Sequence, residues 1–146
     1  MKRLTVGMAI AFLAVGCSTI HISSPGTLKG VDVKGADGRA DRAISIGNEG
    51  YYLFQCWPIV SGSMEWNSRT KEVEDDIALF SSEVNLDKML GNLYRYADKY
   101  DSDVVDIVIN NKSECKIGLF GLLDWFNTVV GVNSATVSGV LCPRRK

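Results

Sequence analysis

Between Asn85 and Tyr100 the apolar residues Leu86, Met89, Leu90, Leu93 and Ala97 recur at helical spacing, while Asp87, Lys88, Asn92, Arg95, Asp98 and Lys99 occupy the other side. One apolar stripe of this width must be buried against something else. Asn85 suits the N-cap, because its side-chain oxygen accepts from free backbone N–H groups of the first turn. Gly91, inside the helix, costs about 1 kcal/mol relative to alanine and reads as the mark of a close packing contact. What the stripe covers follows from the neighbouring segments, which are β-prone.

Asp103 to Asn110 is a β-branched run bounded by polar residues, and Ser134 to Cys142 alternates weakly, so both read as strands. Tyr51 to Val60 is aromatic and reads as a core strand that ends, or lies at an edge, near Pro58, whose nitrogen cannot donate to a ladder. Strand, helix, strand, strand predicts an α+β fold, a small mostly antiparallel sheet with one amphipathic helix packed on one face. Ser18 to Gly50 reads as a tether followed by a small hairpin, built from Leu28 to Lys34 and Ala43 to Ile46 around Asp37-Gly38. From Met64 to Ser82 the pattern is weakest. There the run Lys71-Glu72-Val73-Glu74-Asp75-Asp76 followed by Ile77 to Phe80 predicts the start of a short helix. The ligand alternation of a calcium-binding loop is missing from this acidic run, so it reads as solvated surface and no metal is expected.

The first residues state a destination. Lys2 and Arg3 precede an apolar run from Leu4 to Val15, and Leu13-Ala14-Val15-Gly16 leads into Cys17. This is the order of an export signal, and with cysteine at the cut it reads as a lipoprotein signal. The run is too short to span a bilayer, which takes about 20 apolar residues. The expected layout is a removed signal over 1–16, a tether and hairpin over 17–50, and a core domain over 51–146. The mature chain would start at Cys17 with lipid on its sulfur and amine. Ser18 at the next position favours the outer membrane, with the domain facing the periplasm.

Removing the signal leaves about 130 residues, one ordinary domain, and takes the formal net charge from −1 to about −3. Nucleic acid, held through clustered Lys and Arg on phosphates, is not an expected partner. Arg144-Arg145-Lys146 is a short basic cluster, read as a solvated tail, with anionic lipid head groups as its alternative contact. Beyond Cys17 the cysteines are Cys56, Cys115 and Cys142, an odd set in an oxidising compartment. A hairpin of the last two strands would place Cys142 opposite the start of Asp103–Asn110 and Cys115 at the far end. That disfavours Cys115–Cys142, and Cys56–Cys142 is the expected disulfide if their strands are neighbours.

Ile117 to Val132 carries a single charge, Asp124, which is unusual for a connection of that length. Three roles compete: a core-covering arm, an apolar surface for a partner or a second copy, and contact with the bilayer. Phe120, Leu123, Trp125 and Phe126 are the residues expected to form such a surface.

Catalytic patterns are missing. His21 is the sole histidine, placed by this reading in the tether. There is no Gly-x-Ser-x-Gly, no glycine-rich phosphate loop and no His-Glu-x-x-His. Cys56 stands in Gln-Cys-Trp-Pro without the Cys-x-x-Cys spacing that lowers a thiol's pKa, so a thiol-dependent envelope enzyme is a minor alternative. No cofactor is expected.

Ser24-Pro25-Gly26, Val31-Asp32-Val33-Lys34-Gly35, Ile59-Val60-Ser61-Gly62, Val104-Val105-Asp106, Gly118-Leu119-Phe120-Gly121 and Thr136-Val137-Ser138-Gly139 follow one another along the chain. In this order they resemble the small bacterial outer-membrane lipoproteins of the TRL-like type. That resemblance implies a lipid-anchored address and a strand–helix–strand–strand body, and carries over no catalytic residue. The expected protein is thus a non-enzymatic binding or structural lipoprotein of the envelope. The alternative is a carrier or sensor of an apolar ligand that uses the 117–132 segment.

Overall fold

The computed structural model describes residues 18–28, 30, 40–54, 56–115 and 130–144. Among these residues six strands and one helix follow in the order β1 (Ser18–Ile22), β2 (Arg42–Leu53), β3 (Trp57–Asn67), β4 (Glu72–Leu79), α1 (Leu86–Lys99), β5 (Ser102–Cys115) and β6 (Val130–Pro143). All strand pairings are antiparallel, in the order β4-β3-β2-β6-β5, with β1 joining β2 off that path. The expected α+β class, a mostly antiparallel sheet with one helix on it, is what the chain forms.

β2 organises the sheet. One of its edges is filled by β6 from Arg42 opposite Leu141 to Leu53 opposite Val130. The other edge is shared, by β1 against Ile44–Asn48 and by β3 against Gly50–Leu53. Period-two alternation puts Ile44, Ile46, Asn48, Gly50 and Tyr52 of β2 on the buried side. Ile44 and Ile46 meet Met64 of β3, Ala135, Val137 and Leu141 of β6, and Met89, Leu93, Tyr96 and Ala97 of α1 in one core. The apolar stripe of the helix exists to close this face.

Asn85 caps the helix as expected, its Oδ1 accepting from Asp87 N at 2.8 Å and Lys88 N at 3.3 Å. A buried polar lock fixes the approach to it. Asn48 Nδ2 donates to the carbonyls of Gly62 at 2.9 Å and Glu83 at 3.0 Å. Ser61 Oγ donates to Ser81 O and accepts from Glu83 N. The connection from β4 to α1 is thereby tied to β2 and β3.

Several expectations are corrected. The domain boundary expected at Gly50 falls inside β2, so residues before and after it share one sheet and one core. The expected tether begins with a strand, since Ser18–Ile22 pairs with β2 and its Ile20 and Ile22 pack on the core. Of the hairpin expected over 28–46, Ala43–Ile46 belongs to β2, and residues 31–39 lie outside the described residues. Tyr51–Val60 is two strands joined by a turn, and Pro58 sits at the register shift that breaks the β2–β3 ladder, a place where a missing N–H costs little. The short helix expected at Lys71–Phe80 is instead β4, hairpinned to β3. Asn67 Oδ1 accepts from Arg69 N and Thr70 N, and Lys71 closes the turn at φ 55°, the local chemistry by which Asn makes turns. Gly91 marks no packing contact, for a Cβ there would meet nothing within 4 Å.

Candidate functional site

The sheet has a second face, turned away from α1. Residues on it are mostly small, hydroxylated or β-branched, with one imidazole: Thr19 and His21 of β1, Ala43, Ser45 and Gly47 of β2, Thr136, Ser138 and Val140 of β6, and Val108 of β5, as the ladder registers dictate. At one end this face is covered, with Leu28, Ala40, Val105, Val140 and Cys142 in a small apolar cluster. Beside that cluster lies an open groove of about 790 Å³, lined by Ile20, His21, Ser45, Asp106, Val108 and Ser138 among others. Its volume is in the range of small-molecule sites.

A β-bulge shapes one wall. Val105 pairs with Val140 and Val108 with Ser138, so Asp106 and Ile107 stand opposite Gly139 alone. Asp106 takes φ 52°, a conformation aspartate tolerates better than most residues, and a bulge of this kind re-aims a side chain. Across the floor the Ser45 and Ser138 hydroxyls are hydrogen-bonded at 2.9 Å.

His21, Ser45 and Asp106 thus share a groove that the sequence reading missed, because it placed His21 in a tether. Activating a serine takes a hydrogen bond to a base that is itself oriented. Here the Ser45 hydroxyl is engaged with Ser138, and His21 is exposed in β1. The arrangement offers polar hydroxyls and an apolar rim for binding. The cations whose pKa is raised lie elsewhere, in surface ion pairs: Lys88 with Glu83 and Glu65, Lys99 with Glu72, Arg144 with Asp98 and Asp103. No group of three or more potential metal ligands gathers among the described residues.

Of the residues singled out in the sequence, Cys17, Phe120, Leu123, Trp125 and Phe126 lie outside the described residues. Cys142 does face the start of β5, paired with Asp103, and Cys115 is at the other end opposite Gly131. The expected Cys56–Cys142 disulfide is not supported by the fold. Cys56 is exposed in the β2–β3 turn, beyond Leu53, while Cys142 is buried beside the start of β2. The β2–β6 ladder separates them by roughly 35 Å at about 3.3 Å per residue, against the 7 Å or so that a disulfide spans. No helix among the described residues is long and apolar enough to cross a membrane. No family model, curated protein or solved structure matches the chain.

Proposed function

We propose that the protein is a lipid-anchored lipoprotein of the bacterial outer membrane, of the TRL-like type, facing the periplasm and acting by binding rather than catalysis. The observation that carries this reading is the basic, apolar and small-residue order of Met1 to Gly16 immediately before Cys17. The β-sheet that begins at Ser18, the residue after the lipid-bearing cysteine, supports it. An anchor at Cys17 would then hold a rigid sheet close to the membrane instead of a domain on a long tether. Expression in a bacterium fed labelled palmitate tests the reading. Label on the N-terminal peptide and membrane fractionation are expected for the native chain, with both lost in Cys17→Ala. An unlabelled native chain of unchanged fractionation would refute the anchor.

The groove on the open face favours a second reading, a carrier of a small, partly apolar ligand. Native mass spectrometry of the purified protein would show a copurified ligand, displaced in Ser138→Trp, which fills the floor.

A further inference from the structure

We propose that one end of the sheet, the end carrying Phe54, Trp57, Leu79 and Phe80, rests on the lipid surface. This rests on the anchoring reading above for its orientation. The four side chains are 54%, 63%, 66% and 79% exposed. Register places them together: Leu53 pairs with Trp57 across the β2–β3 turn, Leu79 pairs with Val60, and Phe80 N donates to Ile59 O. Phe54 and Trp57 meet edge to face with ring centroids 6.0 Å apart.

Two features of the chain path lead to the same end. β1 runs from Ser18 opposite Asn48 to Ile22 opposite Ile44, so its Ser18 end is the one nearer Leu53 and the aromatic turn. β5 finishes at Cys115 opposite Gly131, and β6 begins opposite Leu53. Both strand ends that flank the apolar sequence thus lie at that end also.

Charge is distributed the other way. Along β4 the acids Glu72, Glu74, Asp75 and Asp76 precede Ile77 and Leu79, so the strand grows apolar toward this end. Arg42, Asp98, Asp103 and Arg144 gather at the opposite end, where Arg144 bonds Asp98 and Asp103. Among the described residues, the charged positions nearest the aromatic end are Glu49, Asp76, Glu83, Lys112 and Glu114. Aromatic rings flanked by a few polar groups are what a bilayer interface stabilises.

Backbone conformation adds an independent sign. Phe54 takes φ 50° and Phe80 φ 55°, a region that disfavours bulky side chains. Strain of this sort is retained where a side chain is needed, and here the retained side chains are exposed aromatics.

The test uses the full chain with Trp66→Phe and Trp125→Phe, leaving Trp57 as its tryptophan, reconstituted in phosphatidylethanolamine–phosphatidylglycerol vesicles with brominated acyl chains. Trp57 emission should shift to the blue and be lost to the brominated lipid, and iodide in the water should quench it less than in the vesicle-free protein. In the unsubstituted chain a membrane-impermeant maleimide should label Cys56 freely without vesicles and several-fold more slowly on them. A chain that floats with the vesicles while Trp57 stays open to iodide and Cys56 keeps its labelling rate overturns the proposal. Shielding of both groups by self-association without vesicles overturns it in favour of a second copy. Mass spectrometry of the same sample separates the two readings. A Cys17 without lipid sinks the anchor alone, and quenching of Trp57 when that unlipidated chain meets vesicles still decides the contact.

Discussion

Two residues show opposite balances between local stability and use. Gly91 stands in the middle of α1 with open space around its Cα hydrogens, so its conformational freedom serves no close approach. Gly91→Ala should raise stability by about 0.5–1 kcal/mol, read as a higher urea midpoint at unchanged slope. A fall would mean that the space beside it is occupied in solution. Phe80 is the reverse case, a bulky residue at φ 55° whose side chain is mostly in water. Phe80→Gly should stabilise the fold by about 1 kcal/mol, because the left-handed conformation disfavours residues with a Cβ by about that much. Loss of stability in that variant would show that the ring packs on something in the isolated protein.

At the scale of elements, the helix and the final two strands were readable because each carries its own pattern, a 3.6 period for Leu86–Ala97, a β-branched run for β5 and a weak alternation for β6. Their caps and pairings followed from local chemistry. β1 and β4 were not readable, and for different reasons. β1 is five residues, Ser-Thr-Ile-His-Ile, whose alternation is too short to rise above a tether until the edge of β2 is present to receive it. β4 is mostly exposed, with a run of acids where a buried strand would alternate; the Asn67 turn and its partner strand make it β. The groove was invisible for the same reason, as it joins residues from β1, β2, β5 and β6 that only register brings together. The helix is also tied to the sheet by charge. Lys88 Nζ donates to Glu65 at 3.0 Å and to Glu83 at 3.2 Å. Partial burial pulls its pKa down, but the two carboxylates outweigh that and leave it above the ordinary lysine value of 10.5. Folding thus tightens proton binding at Lys88. The stability this gives is fully present below pH 10.5 and is lost as pH rises through the higher folded-state value. The stability advantage of the native chain over Lys88→Met should hold at neutral pH and shrink above 10.5 in urea titrations. An advantage that stays constant through that range would assign it to packing of the lysine stem.

Over the whole molecule, β2 pairs with strands from both ends of the chain, from Ser18 to Leu141. No cut at Gly50 would leave two bodies, so unfolding should be a single transition, with tryptophan emission and far-UV circular dichroism giving one midpoint. Two midpoints would restore the boundary. Pairings as distant in sequence as Arg42 with Leu141 also place folding in the millisecond-to-second range typical of such topologies. Finally, the direction of β1 has a mechanical consequence. A tension applied at Ser18 along the axis of β1, directed away from Ile22, would load the five β1–β2 pairs together in shear. They cannot be peeled one at a time, and the weakest-looking strand of the sheet is the one oriented to bear a steady pull.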